Sequence, residues 1–200
     1  MSFIKNYLNE TIEIINKLNL IEIEKIVKLV ALQKKKKGRI FFLGNGGSAA
    51  NCSHAVNDFR KILNIECYAP TDNISEFTAR ANDEGLISVF SKWLKTSNLS
   101  QNDMLFILSV GGGDIEKNVS TNLVEAIKLG KSTGCKIIGI VGRDGGYTNE
   151  VAHACIKIPT QNIETVTPHA EEFQSIIWHL IVSHPKLKGN KTKWESMIDN

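Results

Sequence analysis

Apolar and polar positions follow two different periods along this chain, and the switches between them divide it into elements. Residues 3–17 place Ile4, Leu8, Ile12 and Ile15 at helical spacing. A second amphipathic segment carries Ile21, Ile23, Ile26, Val27, Val30 and Leu32 up to a run of four lysines, Lys34 to Lys37. Both patterns predict helices. Short, largely apolar runs follow at 39–43, 65–69, 103–110, 135–141 and 154–158. They are too short for helices and rich in bulky residues, which predicts buried parallel strands. Between and after these runs, helical spacing returns in residues 49–59, 75–81 and 85–96, from near Ile115 through Ile127, and in 168–184.

Strands alternating with helices of this length imply right-handed crossover units. The expected fold is α/β, a three-layer αβα sandwich with a central parallel sheet. It is one domain: N-terminal helices in 1–37, an α/β core in 38–185 and a Lys/Asn-rich tail in 186–200. The two leading helices stand outside the sheet, with apolar faces broad enough for a subunit interface or for covering the domain's own core.

Three of the strands, 39–43, 103–110 and 135–141, run into glycine-rich turns. Ligands of such sheets bind outside the carboxyl ends of the strands. The first turn, Gly44-Asn45-Gly46-Gly47-Ser48, leads into a helix with Ser48 at or beside its N-cap. Main-chain N–H groups and the partial positive charge there suit an anion such as a sugar phosphate. The turn lacks the third glycine of the dinucleotide fingerprint and a Walker lysine, so no nucleotide cofactor is expected. His54 and Asp58, four apart, share a face of that helix. On the last helix stand Glu171, Glu172 and His179. Glu171 and His179 are eight apart, about 12 Å of rise, so a shared site needs leaning side chains, an irregular first turn or another subunit. Carboxylates at 171 and 172 are also what any helix N-terminus favours. His169 and His184, flanking the helix in polar company, are expected at the surface, and His153 has no evident partner. Two imidazoles and two carboxylates could bind a divalent metal or divide acid and base roles.

Composition narrows the class. With 200 residues, 42% of them hydrophobic, the chain can bury a sizeable core, and a net charge of +3 is too mild to argue for nucleic acid. Cys52, Cys67, Cys135 and Cys155 form no paired motif, so free thiols in a reducing cytoplasm are expected. Cys52 lies near the glycine turn but has no sequence-adjacent base to activate it. No apolar run is long enough to span a membrane.

From the N-terminal helices to His179 the chain resembles the phosphoheptose isomerases, which have the sugar isomerase (SIS) fold. The resemblance is carried by Gly44-Asn45-Gly46-Gly47-Ser48, His54 six residues on, Asn82-Asp83, Gly142-x-Asp144-Gly145-Gly146 and the late histidine. It implies a flavodoxin-like sheet, a homotetramer with sites between subunits, and isomerisation of sedoheptulose 7-phosphate to a heptose 7-phosphate used in surface polysaccharides. It also implies substrate contacts from Asn45, Gly46, Gly47, Ser48, Asp83, Ser109, Gly111, Gly112 and Gly113. Asp58, Glu171 and His179 are the implied catalytic residues, with either carboxylate as base. His54, Asp58, Glu171 and His179 are the implied ligands of zinc. Two of these positions depart from the family pattern: Asp58 stands where it has Glu, and Glu171 where it has Gln. The family's serine-rich phosphate loop is replaced by Ser109-Val110-Gly111-Gly112-Gly113-Asp114, where Asp114 would cap the helix starting near Ile115. A non-catalytic SIS protein that binds a phosphosugar, or a protein such as a replication initiator, is the alternative. The two histidines and two carboxylates speak against it.

Overall fold

The computed structural model describes residues 2–197. Helices α1 (Phe3–Lys17) and α2 (Leu20–Lys35) precede strand β1 (Ile40–Leu43) and helix α3 (Gly47–Lys61). There follow β2 (Cys67–Tyr68), α4 (Ile74–Glu84), α5 (Val89–Thr96), β3 (Met104–Ser109), α6 (Thr121–Thr133), β4 (Lys136–Val141), α7 (Gly146–Val151), β5 (Ala154–Lys157), α8 (Val166–Ser183) and the short α9 (Lys193–Ser196). Every strand pair is parallel, and the order is β2-β1-β3-β4-β5. This is the flavodoxin-like arrangement, whose topological switch point lies between β1 and β3.

The strands are apolar on both faces because both are covered. Ile40 and Phe42 of β1, Met104, Phe106 and Leu108 of β3, and Ile138 and Ile140 of β4 pack with α2, α3 and α8. The intervening Phe41, Leu43, Leu105, Ile107 and Ile137 pack with α5 and α6. Phe42 lies opposite Phe106 in the register, their rings stacked at 4.8 Å. This matches the expected three layers.

One expectation fails. The helix anticipated near Ile115 begins only at Thr121. Asn118 and Ser120 take left-handed backbone angles, and Asp114 and Val119 close an antiparallel bridge. Asp114 does accept the Lys117 N–H, but it ties off this small loop rather than a helix. The tail, in turn, docks: Leu187 is buried, and the N–H groups of Gly189 and Asn190 both donate to Ile62 O. Residues 198–200 of the anticipated tail lie outside the described residues.

One polar anchor fixes the sheet's base. Arg39 donates from Nε and Nη2 to the two oxygens of Asp103 at 2.9 and 2.8 Å, and Ser100 adds its N–H and hydroxyl. Burial alone would raise the Asp103 pKa, but Arg39 and Ser100 together outweigh it and hold the carboxyl below its usual range. A depressed carboxylate contributes stability that is fully present above the unfolded pKa and is lost as pH falls through the folded one. Asp103→Ala should therefore cost about 1.5–3 kcal/mol at neutral pH. The gap to wild type in urea unfolding should shrink only below about pH 4. A gap that is absent at neutral pH would refute this.

Candidate active site

Helices α3 and α8 pack side by side on one face of the sheet, and their packing assembles the chemistry. His54 and Asp58 sit one turn apart on α3; His179 comes from α8. One ligand atom from each lies within 4.8 Å of the other two. His54 Nε2 and His179 Nε2 stand 4.0 and 3.8 Å from Asp58 Oδ2. These separations are too long for hydrogen bonds, so the donors are not locked to one another. Buried Trp178 forms the floor, its ring 4.7 Å from that of His54.

The tautomer of His179 follows from its partner. Its Nδ1 lies 2.8 Å from the Ser175 carbonyl oxygen, which can only accept, so Nδ1 carries the proton. Nε2 is left with a lone pair beside Asp58. A ring nitrogen tied to a backbone carbonyl is the usual outer support of a metal-binding histidine. Asp58 is mostly buried, and its Oδ1 accepts from Asn57 Nδ2 at 2.8 Å.

Among the described residues, the cluster brings together three of the four expected ligands, and Glu171 does not join it. Two turns before His179, its carboxylate packs instead against Gly47 in the first turn of α3, where a side chain at position 47 would collide with it. An anion is favoured at that helix end. An open cleft of about 570 Å³ runs beside it, lined by Gly47, Asn51, Glu171, Glu172, Ser175 and Ile176.

The glycine turn is held from below. Ser48 is buried and accepts from Gln174 Nε2 at 3.1 Å, while Asn51 Nδ2 donates to Gln174 Oε1 and to Glu171 O. Ser48 is thus one residue inside α3, whose N-cap is Gly46. Asn45 and Asn122 exchange two amide hydrogen bonds, at 3.0 and 2.8 Å, across the β1/β3 switch point. The second glycine loop turns its carbonyls toward α7: Gly112 O accepts from Thr148 N and Oγ1, and Gly113 O from Tyr147 N. The Gly112 N–H is taken by Ser109 Oγ at 3.0 Å. Asp83 is exposed on α4 and accepts from Asn82.

Sequence spacing missed Asn51, Asn122 and Gln174, which carry no motif. Ser175, four before His179, was legible as a neighbour on one helix face. The surface assignment of His169 is also corrected. It is buried, with Nε2 3.0 Å from Glu10 of α1 and Nδ1 3.3 Å from Glu172, and Tyr7 stacks on it at 4.3 Å. His153 has a partner after all, taking the Ile137 N–H on Nδ1. The four cysteines are free and buried, and burial, with a smaller push from Asp72, raises the Cys52 thiol well above its usual value. A fully buried thiol held in its protonated form is poorly placed to act as a nucleophile.

Comparison with known proteins places the sequence and the fold. The family model of the SIS domain matches residues 4–142. A phosphoheptose isomerase of Aliarcobacter butzleri is 32% identical over 164 residues, 80% of this chain and 81% of its own. Phosphoheptose isomerase 2 of Campylobacter jejuni is 30% identical over 190 residues, covering 90% and 89%. Among solved structures, the phosphoheptose isomerase of Neisseria gonorrhoeae shares the fold with a TM-score of 0.78 at 24% identity, covering 90% of this chain and 96% of that one. By sequence match, fold and the histidines its helices bring together, this chain belongs to the phosphoheptose isomerase family of SIS-domain proteins.

Proposed function

We propose that the protein isomerises sedoheptulose 7-phosphate to D-glycero-D-manno-heptose 7-phosphate at the α3/α8 cluster. The observation that carries this reading is the convergence of His54, Asp58 and His179 beside a glycine turn at a helix N-terminus. Moving a carbonyl between C1 and C2 requires a base for a carbon-bound proton and a means of stabilising the enediolate. Asp58 is the carboxylate within the cluster and is favoured as base. His179, with its free Nε2, exchanges the proton on oxygen. Glu171, beside Gly47, faces the cleft where the sugar hydroxyls would lie.

His54, Asp58 and His179 would also hold a divalent ion, and two imidazoles with one carboxylate suit zinc. Such an ion, when bound, would polarise the carbonyl and stabilise negative charge on oxygen. The outward apolar positions of α1 (Phe3, Ile4, Leu8, Ile12 and Ile15) support a subunit interface, and the family suggests a homotetramer. No helix among the described residues is long and apolar enough to cross a membrane. The four free thiols suit a cytoplasmic setting.

A coupled assay with sedoheptulose 7-phosphate tests the reading. Turnover should appear, fall with a chelator and return with zinc. Absence of turnover in zinc-loaded protein would remove the substrate assignment, whereas chelator-insensitive turnover would remove only the metal.

A further inference from the structure

A cavity of about 640 Å³ runs along the outer edge of β5, two strands away from the switch point. None of its lining residues belongs to the α3/α8 cluster or to the first glycine turn. Its volume is that of a small-molecule site. The charged part of the lining is mostly cationic: Lys17 from the end of α1, Lys25 from α2, Arg143 from the loop after β4 and Lys157 from β5, against the single carboxylate of Glu22. That carboxylate is already engaged, by Lys25 Nζ at 2.5 Å and by the Cys155 N–H, which points out of the sheet.

Lysine on an edge strand commonly serves only to deter pairing with another strand. That explanation covers Lys157. It does not cover Lys17, Lys25 and Arg143, which arrive from three other elements. Among the described residues, Arg143 and Lys157 have no ion-pair partner, while Lys17 donates to Gln161 Oε1 at 2.8 Å and lies 3.6 Å from exposed Glu13. His153, whose Nδ1 receives the Ile137 N–H, adds an Nε2–H donor to the wall. Lys17 and Lys25 come from the two leading helices, Arg143 from the loop after β4 and Lys157 from β5.

We propose that this cavity is a second anion site, built for a small molecule carrying two phosphoryl groups, whose charge would balance the excess of four lining cations over one carboxylate. It does not depend on the isomerase assignment, because none of its residues takes part in that chemistry.

Pyrophosphate is the probe, titrated calorimetrically into the full chain at physiological salt. It should bind clearly more tightly than inorganic phosphate. The double variant Lys25→Gln/Lys157→Gln should weaken pyrophosphate binding about five- to thirtyfold, as loss of two partly exposed charge contacts implies, with isomerase turnover unchanged. Lys117→Gln, by the second glycine loop, should leave binding as it was. Equal pyrophosphate affinity in wild type and the double variant would overturn the proposal, as would equal affinity for phosphate and pyrophosphate. Should the double variant misfold, amine acylation of the wild type decides. Pyrophosphate should shield Lys25 and Lys157, and unaltered labelling of both would refute the site.

Discussion

His179→Ala should lose isomerase turnover by about two to four orders of magnitude, the range of a removed general acid or base. The fold should survive, because the side chain is 46% exposed and its one core neighbour, Trp178, stays buried among other side chains. Elemental analysis separates the two ways this residue can act. If the ion is held as proposed, His54→Ala and His179→Ala both lose bound zinc along with turnover. If His179 acts only on protons, His179→Ala is inactive while the wild type contains no stoichiometric metal. Turnover of His179→Ala near the wild-type rate would refute both roles, and with them the assignment of this cluster as the active site.

Gly112→Ala should be the more damaging change to the structure around the site. Gly112 has φ of +72°, and an added Cβ would run into the Gly145 carbonyl, a backbone group that cannot swing aside. The left-handed conformation alone costs a non-glycine residue roughly 1–3 kcal/mol. The collision adds to it by prising the loop from α7, where Gly112 O accepts from buried Thr148. The unfolding midpoint should fall and KM for the sugar phosphate should rise. Gly111→Ala is the control, since its Cβ would meet only Arg143 Cδ, at 3.8 Å. Equal stability of the two variants would defeat the argument.

Much of this arrangement was legible in the residues. Largely apolar runs such as 103–110 mark strands covered on both sides, and a His four residues before an Asp marks one helix face. What spacing could not supply was the angle between helices. His54 and His179 meet because α3 and α8 lie on the same face of the sheet, a fact of chain crossover and not of either sequence. Glu171 stands apart for the reason its spacing already gave: a rise of about 12 Å carries it toward Gly47, at the start of α3. His169 appeared exposed because its neighbours are polar. Those neighbours face Glu10 and Tyr7 of α1, partners more than a hundred and fifty residues away. The segment after Gly113 looked helical because Val119 and Leu123 keep helical spacing, and the left-handed Asn118 and Ser120 overrode it.

The strand order also sets a timetable for the growing chain. Phe42 of β1 must wait for Phe106 of β3, its neighbour in the sheet. At a synthesis rate of about 5–20 residues per second, that is an interval of roughly 3–13 seconds. Throughout it, one edge of β1 and the part of α3 that packs on β3 and α8 have no native covering, and such surfaces are prone to aggregate. Non-local parallel pairing is slow for the same reason, since loop closure precedes any gain from contact. The site is finished later still: His54 and Asp58 are made early, but His179 arrives with α8, after the last strand of the sheet.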